Sequence, residues 1–311
     1  MNAFIFTGQG CQKEGMGKDL YEKSSKAREL FEQANQIIGS RYTDLLFNSA
    51  EDFLLDTRNT QLAVLIYEVV VALSQREIKP VMMAGHSLGE YAALIVSGCI
   101  SFEDGIKLIQ HRGQILYDSF ATNPGAMGAV IGLSDDVVEK TIKKVSEDTG
   151  DNLYIANYNG PGQLVISGPR KVVKMACKEL KDLGAKRAIV IPMNASGHCP
   201  NAQREADLLN PYIEQITFKE PCCPLYQCVD ARPHTNPDEI KQNLMKHLTH
   251  PVQWTTITHN MVADGATDFY EIGTDGTLQK IVSRMYPELN VQSIWNIETY
   301  KNINPFKIEE L

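Results

Sequence analysis

Five residues, Gly85-His86-Ser87-Leu88-Gly89, constrain this chain more than any others. Pro80-Val81-Met82-Met83-Ala84 before them is a short apolar run of strand length, and Glu90 to Gly98 after them has helical character. A strand that passes into a helix through so few residues must turn sharply. Glycines two before and two after the serine keep neighbouring groups from clashing in that turn, and the serine backbone is strained by it. G-x-S-x-G alone occurs by chance; the strand before it and the helix after it make it meaningful here. Strands alternating with helices predict an α/β fold with a mainly parallel sheet, like that of the α/β-hydrolases.

The rest of the chain is consistent with that frame. Ala3 to Thr7 is a strand ending in the Gly8-Gln9-Gly10 turn. Leu20 to Ile38 reads as one amphipathic helix, and Gln61 to Gln75 as a buried one. The pattern changes in the middle. Ala126–Leu133 is a strand, Asp135–Ser146 a helix with Val137, Val138, Ile142 and Val145 on one side, and Leu153–Asn157 and Gln163–Ser167 are strands. Lys171–Leu183 is a second helix, and Ala188–Met193 a last strand. That order, βαββαβ, is ferredoxin-like. It predicts an inserted subdomain over 125–193 within a larger α/β domain made of 1–124 and 194–311. Asp238–Leu248 and Trp254–Gly265 read as helices, Asp268–Ile272 as a strand, and the polar tail from Thr299 as loosely held.

Composition narrows the function classes. A formal net charge of -8 with no block of like charge argues against a nucleic-acid partner. No apolar run reaches the ~18 residues that span a bilayer. The N-terminus is broken too early by glycine to be a signal segment. Seven cysteines at irregular spacing, without a CxxC pair, support neither a zinc nor a redox site and suit free thiols in a reducing cytoplasm. No metal site is expected.

Chemistry is expected at the turn. Ser87 projects into a cleft, and the N–H of Leu88, at the positive end of the following helix, can donate to an oxyanion there. A serine nucleophile needs a base. Of seven histidines, His86 adjoins Ser87 but an elbow turns its side chain away. His198 lies in a loop after the last strand of the insert, where a base could be presented, though spacing alone does not single it out.

Longer stretches then carry a resemblance. Gly8-Gln9-Gly10 with the following Cys11 to Leu20, Gly85 to Leu94, Gln110-His111-Arg112-Gly113, Gly125-Ala126-Met127 and Ala156 to Gly168 together resemble the malonyl-CoA:acyl-carrier-protein transacylase family over nearly the whole chain. The resemblance implies a Ser87–His198 dyad, with a backbone carbonyl instead of an acid orienting the imidazole. It implies an oxyanion hole from the N–H groups of Gln9 and Leu88, and Arg112 as the grip on a malonyl carboxylate. Met127 falls at the acyl pocket. The implied reaction is ping-pong transfer from a coenzyme A thioester to the phosphopantetheine thiol of an acyl carrier protein, with no bound cofactor, in a monomer.

Four departures bear on the acyl group. Gly197 precedes the base where the family has a bulkier or Ser residue, which implies a wider pocket near the acyl α carbon. Cys199-Pro200-Asn201-Ala202 follows it without the family's Met. His247 stands where Gln is common, so a second imidazole lies near the base. Gly273-Thr274-Asp275-Gly276 replaces a Gly-Pro-Gly turn. Lys186 and Arg187, with Lys181, are the basic residues expected at the rim that meets an acidic carrier. The competing reading is an acyl hydrolase acting on carrier-protein thioesters, against which the carboxylate grip of Arg112 argues.

Overall fold

The first strand shows why the main sheet forms where it does. In β1, Asn2–Phe6, Ala3 and Ile5 face one apolar cluster while Phe4 and Phe6 face another. A period of two with both faces apolar is the pattern of a strand covered on each side by helices. A computed structural model describes residues 1–48, 51–75, 77–122, 125–191 and 196–303.

The other strands are β2, Met82–Gly85; β3, Gly125–Ile131; β4, Tyr154–Gly160; β5, Gln163–Pro169; β6, Arg187–Val190; β7, Leu225–Tyr226; β8, Pro233–His234; β9, Asp268–Ile272; and β10, Asn290–Ile294. The large sheet has the order β10-β9-β1-β2-β7-β8, parallel throughout except for the last pair. The helix Thr57–Ser74 is buried along most of its circumference beside this sheet, as its continuous apolar run requires.

The second sheet is antiparallel, with order β4-β5-β3-β6. With the helices Asp135–Thr149 and Arg170–Asp182 packed on one face, it has the ferredoxin-like arrangement expected from βαββαβ. Its other face carries Met127, Ala156 and Val165, with Ile191 against them. Residues 124, 193 and 194, at which the expected boundaries fall, lie outside the described residues. So does Met193 as the end of the last strand, and so does the tail from 304. Ahead of that tail, Ile297–Ile303 is a helix, where a loose end was expected from Thr299.

Two differences have a local cause. Leu20–Ile38 is two helices, Lys18–Lys23 and Ser25–Ile38, because Ser24 turns extended and its hydroxyl accepts the Ala27 N–H at 3.2 Å. Phe102–Thr122, the long helix that carries Arg112, went unmarked in the apolar pattern. Its apolar stripe is diluted by Gly105, Gly113 and a polar outer face.

The antiparallel sheet is tied to the large one close to the site. Tyr158 N–H donates to the Val252 carbonyl at 2.9 Å, and Val252 N–H to that of Ala156 at 2.8 Å. Thr255 Oγ1 donates to the Tyr158 carbonyl at 3.1 Å. These bonds fix the segment 247–252, whose carbonyls face the expected base.

Candidate active site

Ser87 follows the carboxyl end of β2 and has φ of 54°, a left-handed conformation that a serine adopts only under constraint. The constraint is visible in its glycines. A Cβ on Gly85 would stand 2.0 Å from the Gly89 carbonyl carbon, and one on Gly89 would stand 2.3 Å from the Thr7 oxygen. The elbow is thus wedged between β1 and the helix Gly89–Val96. Leu88 is the N-cap residue of that helix. Gln9, at the turn after β1, lines the same cavity, and its side-chain oxygen accepts from Thr57 Oγ1 at 3.4 Å.

His198 also has φ of 54°. Its Nε2 lies 2.7 Å from Ser87 Oγ, 111 residues away in the chain. Its Nδ1 faces two backbone carbonyls, those of His247 at 3.1 Å and His250 at 3.3 Å. Carbonyls only accept, so they place the proton on Nδ1 and leave Nε2 free to take the one on Ser87. Among the described residues, no carboxylate bonds the ring. Burial, then the cation of Arg112, then His86 lower the imidazole pKa to about 3, against the two carbonyl bonds, so the ring rests neutral as a base must.

Arg112 is 5% exposed. Its Nη1 donates to Gln61 Oε1, Gln61 Nε2 donates to Thr57 Oγ1 at 2.9 Å, and the guanidinium lies 5.4 Å from the Tyr91 ring centroid. Its Nε is buried without a partner. A guanidinium held on one side by Gln61 and lining the cavity can receive an anion there. Thr57 and Gln61 therefore join the site through Gln9 and Arg112. Their signal in the sequence was a Thr and a Gln inside a helix otherwise apolar enough to be fully buried.

Ser87, Leu88, Gln9, His198, Arg112, Met127 and Gly197 all line one cavity of about 220 Å³. Among the described residues, a Cβ on Gly197 would meet nothing within 4 Å. His86 lines this cavity too, with its Nε2 donating to Asn159 Oδ1 at 2.7 Å and its ring packed on Trp254. It does not bond Ser87, as the elbow predicts. His247 is a correction. Its side chain is fully buried behind His198, not in the acyl cavity, because its ring packs among Tyr91, Glu90 and His198. Lys186 and Arg187 do not line the cavity itself. Arg187 opens β6, four residues before the cavity-lining Ile191, about 13 Å along a strand, and Lys181 Nζ is bonded to the Ala185 and Lys186 carbonyls. In the 273–276 turn, Gly276 takes a left-handed φ of 66° and Asp275 Oδ1 accepts the Thr277 N–H at 3.1 Å, so the segment works as the cap of the helix Thr277–Met285.

His86, His198 and His247 are all held below the ordinary histidine value, in each case first by burial. The unfolded chain protonates them near 6.5, whereas folded His198 holds out to about 3. Between those values the unfolded state binds more protons, so stability is complete above about 6.5 and is lost as pH falls. The melting temperature should therefore drop from pH 7 to pH 5 in thermal scans; a constant or rising value would contradict this.

The profile of the acyl transferase domain family matches residues 3–303. The malonyl CoA-acyl carrier protein transacylase of Bacillus subtilis is 34% identical over 299 residues, covering 96% of this chain and 94% of that protein. An acyl carrier protein S-malonyltransferase from Vibrio cholerae superposes with a TM-score of 0.92 at 32% identity, covering 97% of this chain and 99% of that one. A malonyl-transacylase solved in complex with its type II PKS acyl carrier protein superposes with a TM-score of 0.91 at 31% identity, covering 96% and 97%.

Proposed function

The chain belongs to the acyl transferase domain family, and from that premise we propose that it moves a malonyl group from coenzyme A to the phosphopantetheine thiol of an acyl carrier protein. The observation that carries this reading is a half-buried Ser87 bonded to a buried His198, in one cavity with an Arg112 held on one side by Gln61. A serine nucleophile, a neutral base and a cation for a carboxylate are the three groups this transfer needs.

The malonyl carboxylate binds Arg112 and brings the thioester carbonyl to Ser87. That contact also acts on the base. Arg112 is the main charge lowering the basicity of His198, so pairing it with a carboxylate makes His198 a stronger base only when the right acyl group is bound. His198 takes the Ser87 proton as Oγ attacks. The N–H groups of Gln9 and Leu88 hold the oxyanion, the carbon–sulfur bond breaks, and His198 returns the proton to the leaving thiolate. The carrier thiol then attacks the serine ester by the same steps in reverse. Coenzyme A thioester is substrate, and the chemistry calls for no resident cofactor. All seven cysteines are free thiols, and no helix among the described residues is long and apolar enough to cross a membrane; both suit the cytoplasm, where we place the reaction.

The test is intact-mass detection of acylated Ser87 after mixing with malonyl-CoA, then its discharge by a holo acyl carrier protein. Free malonate released without a carrier would instead favour a hydrolase. The same assay reads the pocket. With open space at Gly197, methylmalonyl- and ethylmalonyl-CoA should acylate Ser87 within about tenfold of malonyl-CoA, whereas a pocket closed to the extra carbons would discriminate by about 10- to 200-fold per methylene. Gly197→Val should remove that tolerance. Strict malonyl selectivity in the unaltered protein would refute the open-pocket reading.

A further inference from the structure

Behind the base lies a polar pair that the steps above leave unused. Glu90 follows Ser87 by three residues and is 2% exposed. Its Oε2 accepts the Cys228 N–H at 2.8 Å and its Oε1 accepts Gln227 Nε2 at 3.1 Å. His247 is fully buried, and among the described residues neither ring nitrogen makes a well-formed hydrogen bond, although the Ser87 backbone faces the ring and favours its proton. Its Nε2 stands 3.8 Å from Glu90 Oε2. The ring meets His198 edge-on at 5.1 Å between centroids and Tyr91 at 5.5 Å on another side. An imidazole so dry and so nearly bonded to a carboxyl needs a reason to be there.

We propose that Glu90 and His247 are positioning residues for His198: His247 shares a proton with Glu90, which steadies the carbonyl that orients the base, and the Glu90 carboxylate balances the charge His198 gains. The inference rests on the Ser87–His198 reading. In the reaction His198 becomes an imidazolium in a site that already holds Arg112, with only two carbonyl dipoles on its far side. One ring further back, a carboxylate supplies the missing opposite charge in a place water does not screen. A small rotation of His247 lets Nε2–H donate to Oε2. No proton leaves the pair and no bond breaks.

The groups that face the pair support this division. Burial raises the Glu90 carboxyl, its bonds from Cys228 and Gln227 oppose that, and Asp230 adds to it. Burial, His198, Arg112 and, least, His86 keep His247 well below the ordinary value, against the Ser87 backbone, which favours its proton. Burial disfavours charge on both groups; in the proposed pair His247 is the neutral donor and Glu90 the carboxylate, a form that the Cys228 N–H and the Gln227 amide favour. As pH falls, Glu90 protonates, the countercharge disappears and transfer slows.

The test is the single-turnover rate of Ser87 acylation against pH for the unaltered protein, Glu90→Gln, His247→Leu and His247→Gln, with melting temperatures alongside. Glu90→Gln should slow acylation about 10- to 100-fold, leave KM for malonyl-CoA within about twofold, and abolish the acid limb. His247→Leu should slow it similarly. His247→Gln keeps a donor toward Glu90 and should recover most of that loss. If Glu90→Gln does not fold, the two His247 variants decide. The proposal fails if these variants lower only the melting temperature, with the rate and the acid limb unmoved. It also fails if one divalent ion per chain is held by Glu90, Cys228 and His247, whose donor atoms lie within 4.8 Å of one another, and chelation changes the rate. Absence of any acylation in the unaltered protein would instead overturn the underlying dyad reading.

Discussion

Ser87→Ala eliminates the covalent malonyl adduct and lowers transfer to the carrier protein by at least about 10⁴-fold. The size follows from how the two catalytic groups are coupled. Ser87 Oγ and His198 Nε2 are 2.7 Å apart and act on one proton, so neither works alone. His198→Ala should cost nearly as much, and the double variant no more than the worse single one. The alanine at 87 inherits a left-handed φ of 54°, which the elbow already imposes on serine, so the fold should survive. Malonyl-CoA should still bind through Arg112. Intact mass reports the adduct and calorimetry the binding. A persistent adduct in Ser87→Ala would place the nucleophile elsewhere.

The second large effect belongs to Arg112. Truncating one partner of a buried, hydrogen-bonded charge pair costs about 2–5 kcal/mol. Arg112→Ala should therefore lower kcat/KM for malonyl-CoA by about 30-fold to several thousand-fold. Acetyl-CoA has no carboxylate to lose and loses nothing comparable. Removing the cation also relieves the base, because Arg112 is the largest charge effect depressing His198. Acetyl-CoA should consequently acylate the variant at least as fast as the unaltered protein. The ratio of malonyl to acetyl acylation is the deciding quantity. Arg112→Lys, which keeps the charge but not the planar fork, should fall between. An equal loss for both substrates would mean that Arg112 supports the helix packing around Gln61 and does not select the acyl group.

Much of the site was legible because it is local. The elbow is written in five consecutive residues, since the collision of a Cβ at Gly85 with Gly89 is a matter of neighbours along the chain. The βαββαβ order of the insert was legible for a similar reason: each strand and helix buries one face, and burial imposes its period on the sequence. The break at Ser24 was less visible, because a cap is a single hydrogen bond inside an otherwise continuous apolar pattern.

The helix around Arg112 and the partners of the base were not legible from periodicity at all. Arg112 looks like any surface arginine until Gln61, from another helix, bonds it from within the core. His86 lines the cavity, while His247 lies behind His198 and outside the acyl pocket. Which histidine faces the cavity depends on Asn159 from the antiparallel sheet in one case and on Tyr91 and Glu90 in the other. Spacing alone could not choose His198 among seven histidines, because 111 residues separate it from Ser87 and no local rule spans them.

By itself, then, the sequence determined the strained turn at Ser87 and the two kinds of sheet around it, because backbone sterics and the burial period act between near neighbours. Its longer motifs marked which residues to watch. Only the tertiary structure decided which imidazole stands 2.7 Å from Ser87, that two carbonyls face its other nitrogen, and that Glu90 stands one ring behind it. Those are contacts between segments far apart in the chain, and the packing of the two sheets alone brings them within hydrogen-bond reach.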